Sequence, residues 1–247
     1  VIGFGIDVGG SGVKGAPVDL ENGSLTGERS RIPTPHPSTP TGVVEAIRQI
    51  ITHHSWDSAL GVTIPGVVVN GVVLTVGNID HQWVDLDAQE FMSESLEIPV
   101  TIINDADAAG LAEARYGEHG VNDGVVLVLT FGTGIGSALI NNGVLVPNTE
   151  FGHVLLHGML AEEYAAGRLV KRDNMDIDWW AGRVNEYLQH IETVLTPRKI
   201  IIGGGISKRF EEYADLLDTR ADVEPARLRN NAGIVGAAMI AALEKPT

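Results

Sequence analysis

The chain contains no cysteine. That excludes disulfides and cysteine-ligated zinc, and it fits a reducing compartment. No apolar run approaches the ~18 residues a membrane span needs, and no charged-then-apolar leader opens the sequence. A soluble cytoplasmic protein is therefore expected. The chain opens on Val1 rather than an initiator Met, so its native start is left open. Basic residues are scarce: 17 Lys and Arg stand against 32 Asp and Glu, a net charge of −15. This argues against nucleic acid or an anionic membrane as a partner. It leaves room for a phosphate-bearing small molecule, because backbone amides bind phosphate without net positive charge. The GxxxxGK[ST] phosphate loop is absent, and Gly9-Gly10-Ser11-Gly12 leads into a strand-like segment, unlike a dinucleotide fingerprint.

What the sequence has in excess is glycine, 30 of 247 residues, about 12% against a usual ~7%. Most fall at the ends of apolar runs. Val1–Asp7 reads as a strand, Gly9–Gly12 as a tight turn and Val13–Val18 as the returning strand. A third strand is expected near Thr26–Ile32. Thr41–His53 carries a helical apolar stripe, Leu60–Ile64 a buried strand, and Asn70-Gly71 a hairpin turn. Asp87–Leu96 reads as a short helix. A second round begins at Val125–Phe131, turns at Gly132-Thr133-Gly134 and returns through Ser137–Ile140. Helices are expected over Glu162–Arg172, Asp178–Leu195, Phe210–Leu217 and Gly233–Leu243, with a strand at Lys199–Ile202 before Gly203-Gly204-Gly205. The two openings resemble each other, which suggests a duplicated α/β domain with a cleft between the halves.

Val100–Ile103 reads as a strand and Ala106–Arg115 as the helix after it, with Asn104 and Asp105 at the junction. Ligands of α/β proteins bind at such strand ends. Asp105 can be the N-cap of the helix or a carboxylate base; local sequence admits both. Asp107, two residues into the helix, should face away and serve structure.

Together these segments resemble the ROK family of sugar kinases. Asp7–Lys14 resembles the first phosphate motif of that family, Leu129–Gly136 its second and Ile201–Gly205 its adenosine motif. Asn104–Ala109 resembles the catalytic segment and Glu150-Phe151-Gly152-His153 the sugar-binding ExGH segment. Ser11–Ala16, Ile32–Pro40 and Ala161–Ala165 are similar to the polyphosphate-using branch. The resemblance implies an actin-like, ribonuclease H-like fold with two domains, residues 1–103 plus the C-terminal helix 232–247, and residues 104–231. It implies transfer of a phosphoryl group to the 6-hydroxyl of glucose, and mannose with it, from polyphosphate or ATP with Mg²⁺, and a homodimer.

By the same resemblance Asp105 is the base. Asn104, Asp105, Glu150, His153, Glu162 and Asn78 bind sugar. Asp7 orients Mg²⁺ through water. Gly9, Gly10, Ser11, Gly12, Lys14, Thr130, Gly132, Thr133, Gly134, Gly204 and Gly205 hold phosphate and nucleotide. Cations for a longer phosphate chain would come from Arg29, Arg31, Lys171, Arg172, Lys208 and Arg209. Zinc-bearing members carry CxCGxxGC after the ExGH segment. Here His153 and His157 are four apart but no further ligands follow, so no structural zinc is expected and Trp179 and Trp180 are the expected brace of the sugar-side loop. An ATP-only kinase for another hexose or amino sugar, a sugar-sensing regulator and a phosphate-ester hydrolase are the alternatives. The family's repressors place a DNA-binding segment before the first glycine loop. That loop begins here at residue 7, and the charge is negative. The Glu150–His153 pair argues against the hydrolase.

Overall fold

The computed structural model describes residues 1–117 and 123–243; the last four residues of the expected 232–247 helix segment lie outside them. The chain packs as two compact units, Val1–Ala112 with Asn231–Thr247, and Glu113–Asn230. The division falls inside the helix after Asn104. Packing thus groups Asn104 and Asp105 with the first glycine turn, whereas the expected 104–231 domain put them with the second.

The first unit is built on β1 (Ile2–Gly9) and β2 (Gly12–Asp19), an antiparallel hairpin whose partners run to Gly9↔Gly12. Two residues, Gly10 and Ser11, are left to make the turn. The expected third strand is two short pieces, β3 (Ser24–Leu25) and β4 (Ser30–Ile32), both paired with β2. Thr39 caps α1 (Pro40–His53) by accepting the Gly42 N–H, with Pro40 at the first helical position, where its missing N–H costs nothing. The predicted stripe, Val43, Val44, Ile47, Ile50 and Ile51, is buried. Next come β5 (Leu60–Ile64), the small hairpin β6 (Val68–Val69) and β7 (Val72–Val73) around Asn70-Gly71, then α2 (Ala88–Leu96), β8 (Val100–Asn104) and α3 (Asp105–Tyr116). β1, β5 and β8 are parallel and align Asp7↔Thr63↔Ile103. Asp7, Asn104 and Asp105 therefore emerge at the same, carboxyl, edge of the sheet, where α/β sheets bind ligands.

The second unit repeats the theme. β9 (Val125–Phe131) and β10 (Ile135–Asn141) form a hairpin around Gly132-Thr133-Gly134, and β11 (Val144–Val146) extends it. The short hairpin β12 (Leu155–Leu156) and β13 (Met159–Leu160) follows, then α4 (Ala161–Ala165) and α5 (Arg168–Arg172). The expected single helix over 162–172 is thus broken. Ala166 is extended, and an added Cβ on Gly167 would lie 2.7 Å from the Phe131 carbonyl oxygen, while the Arg168 N–H donates to the Gly132 carbonyl at 2.9 Å. Contact with the glycine turn overrides helix propensity there. α6 (Ile177–Val194) packs on the sheet, and β14 (Lys199–Gly203) runs parallel to β9 with Gly203↔Thr130 in register. The segment expected as a helix over 210–217 consists of 3₁₀ turns, Gly205–Glu212 and Ala214–Leu216, before β15 (Asp222–Pro225). Each sheet thus has the order returning strand, glycine-turn strand, parallel strand.

α7 (Ala232–Leu243) rejoins the first unit. It is apolar all round, which marks a helix buried on more than one side. Cβ atoms added to Gly5 and Gly61 would meet the carbonyl oxygens of Ile234 and Ala237 at 1.8 and 1.7 Å, and one on Gly236 would meet that of Ala108 at 1.9 Å. The glycines let helix backbone lie directly on the sheet and on α3.

Candidate active site

In the first unit, Asp7 faces Lys14 across the hairpin as a register pair. Lys14 Nζ reaches Asp7 Oδ2 at 2.8 Å. The other carboxylate oxygen, Oδ1, accepts the Thr63 hydroxyl at 3.2 Å, and Thr63 Oγ1 in turn accepts the Val8 N–H at 3.1 Å. Thr63 is fully buried and had no signal in the sequence beyond its place at a strand end. An added Cβ on Gly233, in the first turn of α7, would lie 3.1 Å from Asp7 Oδ1, so only a small residue fits against that carboxylate. Asp7 is held by two donors, each of its oxygens keeping a second lone pair. That donor set fits Mg²⁺ held through water, since Mg²⁺ keeps waters and takes few carboxylates.

The first glycine turn is propped from outside. Thr34 Oγ1 donates to the Gly9 carbonyl. Asn78 lies against Gly10, whose added Cβ would be 3.0 Å from Asn78 Cβ. Its loop is pinned by Asp80 N–H to Ser38 Oγ and by the buried Trp83 Nε1–H to the Ser38 carbonyl, 3.1 and 2.9 Å. Arg31 Nη2 donates to the Ser11 carbonyl at 2.9 Å, and its guanidinium covers Gly12.

At the end of β8, Asn104 Oδ1 accepts the Asp107 N–H at 2.9 Å, and Asn104 Nδ2 donates to the Gly66 carbonyl at 2.9 Å. Asn104 is therefore the cap of α3. Asp105 Oδ1 accepts from its neighbour, Ala106 N–H, at 2.9 Å, and Asp105 is half-buried. The side chain of Asp107, expected to face away and serve structure, is buried.

In the second unit, Gly132 N–H donates to the Gly134 carbonyl at 3.0 Å and closes the turn that holds Thr133. Thr130 lies in register with Gly203. Gly204 has φ +81°, and an added Cβ would come within 2.3 Å of the Phe131 carbonyl oxygen, so the second and third glycine turns touch where only glycine fits. Nothing lies within 4 Å of a Cβ added to Gly132 or Gly205. A cavity of about 330 Å³ follows the third turn, lined among others by Ser207, Lys208, Phe210 and Arg227.

The residues of this unit expected to bind sugar converge. Glu150 Oε2 lies 3.5 Å from His153 Nδ1. Burial raises the Glu150 carboxyl above its ordinary range; His153 opposes the shift and the nearby Glu162 carboxylate adds to it. Glu162 Oε2 also accepts the Ile135 N–H at 3.3 Å and would clash with a Cβ on Gly134 at 2.3 Å. One glutamate thus touches both the ExGH segment's field and the second glycine turn.

α6 presents one face to this loop, through residues spaced three and four apart. Trp180 Nε1–H donates to the Ala165 carbonyl at 3.0 Å, Arg183 Nη1 to the Tyr164 carbonyl at 3.1 Å, and Tyr187 O–H to the Phe151 carbonyl at 3.1 Å. Glu186 Oε2 accepts the Tyr164 hydroxyl and pairs with His157 Nε2, both at 2.9 Å. Trp180 is fully buried and stacks edge-on with Phe131; Trp179, expected to share the bracing, is 67% exposed. Among the described residues no group of three or more His, Cys, Asp and Glu side chains is placed to hold a metal ion.

Two sheets, each with a glycine hairpin beside a parallel strand, define the actin- and hexokinase-like class of fold. The chain belongs to the ROK family, whose model matches residues 3–168. It is 50% identical to the polyphosphate glucokinase of Mycobacterium tuberculosis over 238 residues, 96% of this chain and 90% of that protein. Its fold matches the inorganic polyphosphate/ATP-glucomannokinase of Arthrobacter sp. strain KM with TM-score 0.93 and 46% identity, over 99% of this chain and all of the other. The ROK glucokinase of Streptomyces griseus, solved with glucose and AMPPNP, shares the fold at TM-score 0.80 and 24% identity, over 99% of this chain and 100% of that one. No described helix is long and apolar enough to cross a membrane.

Proposed function

We propose that the protein phosphorylates glucose, and mannose with it, at the 6-hydroxyl, with inorganic polyphosphate or ATP as donor. The observation that carries the chemistry is the division of labour at the β8–α3 junction. Asn104 caps the helix through the Asp107 N–H, and Asp105 gives one carboxylate oxygen, Oδ1, to the Ala106 N–H. Asp105 is the general base that takes the 6-hydroxyl proton. Asn104, Asn78, Glu150, His153 and Glu162 bind the sugar hydroxyls. Gly9–Gly12 and Gly132–Gly134 offer backbone amides to the phosphates, and Lys14 and Thr133 add side-chain donors.

Phosphoryl transfer asks for positioning and charge neutralisation more than covalent chemistry, and amide-lined turns on rigid strand ends supply both. Asp7 would hold Mg²⁺ through water; when bound, the ion offsets phosphate charge. The cavity beyond Gly204 and Gly205, with Phe210 and Lys208 in its lining, supports a nucleoside as one donor. The likeness to the mycobacterial and Arthrobacter proteins supports polyphosphate as the other.

We further read the protein as a cytoplasmic homodimer; Val144, Leu155 and Trp179 are apolar side chains that the second unit exposes. Light scattering at a single-chain mass counts against the dimer.

The test of function is purified protein with Mg²⁺, glucose, mannose or an amino sugar, and polyphosphate or ATP. Sugar 6-phosphate formed from glucose with either donor is the expected result. Turnover of an amino sugar alone, or phosphate release that needs no sugar, contradicts the reading.

A further inference from the structure

We propose that Arg31 is the first binding group of a subsite for the polyphosphate chain outside the first glycine turn, and that it tilts donor choice toward polyphosphate. The proposal rests on the donor reading above.

Of the cations at this turn, Lys14 is neutralised by Asp7 at 2.8 Å. Arg31 makes no ion pair among the described residues, so the free positive charge at the turn is its guanidinium. The register of β4 on β2 sets Arg31 opposite Lys14, one pair away from Ile32↔Val13. From there the side chain folds over Gly12. A Cβ at residue 12 would meet Arg31 Nε, Cζ and Nη2 at 2.8, 3.1 and 3.1 Å, so glycine is what admits the guanidinium to the turn. One Nη2–H is fixed on the Ser11 carbonyl at 2.9 Å. The guanidinium carries five donors in a planar fork, and the bond to Ser11 orients that fork without exhausting it. Such a fork suits phosphate oxygens better than a lysine does.

Arg31 also leads somewhere. It lines an open cavity of about 300 Å³ together with Ser30, Ile32, Gln49, Ile50 and His53. A nucleoside triphosphate ends in a sugar and base. A polyphosphate continues as the same repeating anion and can use a cation placed past the turn. Of the other candidate cations, Arg172 is ion-paired with Asp173 and Arg209 with Glu212, the latter at 2.7 Å. Arg29 is hydrogen-bonded to a residue outside the turn, Asn231 Oδ1, at 3.0 Å, and Lys171 and Lys208 lie outside the first unit.

Steady-state rates of Arg31→Ala, Arg31→Gln and Arg31→Lys with glucose saturating, against long-chain polyphosphate and against ATP, test this. The ratio of kcat/KM for polyphosphate to that for ATP should fall about tenfold or more in Arg31→Ala and Arg31→Gln, the loss arising in the KM for polyphosphate, with Arg31→Lys between them and the parent. The salt dependence of that KM should also become shallower. An unchanged ratio, whether both donors lose equally or neither does, leaves Arg31 as a prop of the turn and overturns the proposal alone. A parent protein that uses ATP but not polyphosphate overturns the donor reading and this inference with it.

Discussion

Asn104 accepts the Asp107 N–H at 2.9 Å and thereby begins the helix on which Asp105 is the first residue. Asn104 caps the helix as well as binding sugar in the proposed reading, so its variants should cost stability. Asn104→Ala removes the cap and the tie to Gly66, and should cost about 1–2 kcal/mol in denaturant unfolding. Asn104→Asp keeps an acceptor for Asp107 N–H, so it should lose less stability than Asn104→Ala. Equal losses in the two variants would place the cap elsewhere.

Glu150 gives a pH signature. Burial raises its carboxyl pKa, and Glu162 adds to the rise. A protonated carboxyl is a poorer acceptor for sugar hydroxyls. The KM for glucose should therefore rise as pH falls, with its inflection above the usual carboxylate range. In Glu150→Gln the KM should be high at every pH and that inflection lost. A parent profile flat down to the ordinary carboxylate range would contradict the assignment.

The face of α6 should act on sugar and not on donor. Burial drives the Tyr187 hydroxyl well above its ordinary pKa, so it stays a donor to the Phe151 carbonyl. Tyr187→Phe leaves that carbonyl short of a partner at a cost of about 1 kcal/mol. Glu186→Gln weakens the links to Tyr164 and His157. Both variants should raise the KM for glucose by about 2–10-fold, the equivalent of one hydrogen bond, with the KM for ATP little moved. Parallel rises in both KM values would mean general loosening rather than positioning of Glu150, His153 and Glu162.

Much of this was legible in the residues. The glycine turns and the Asn70-Gly71 hairpin each rest on local chemistry, and local chemistry decided them; at the β8–α3 junction the residues offer Asp105 as the cap, whereas Asn104 caps the helix and Asp105 is its first residue. What was not legible depends on pairing across the chain. Arg31 reaches Ser11 only because β4 lies on β2. The break at Ala166 and Gly167 exists because the Phe131 and Gly132 carbonyls need partners and room there. Trp180 braces the loop and Trp179 does not, a choice made by which side of α6 meets the sheet. Thr63 joins Asp7 through a register no spacing could give.

The kinetics of Asp105→Asn test the central claim most directly. The substitution keeps size and an acceptor for the Ala106 N–H but removes the base. With glucose and either donor saturating, kcat should fall by about 10²–10⁴-fold, while the melting temperature and the KM for glucose stay near those of the parent. A variant that phosphorylates glucose at near-parent rates would contradict the assignment of Asp105 as the base.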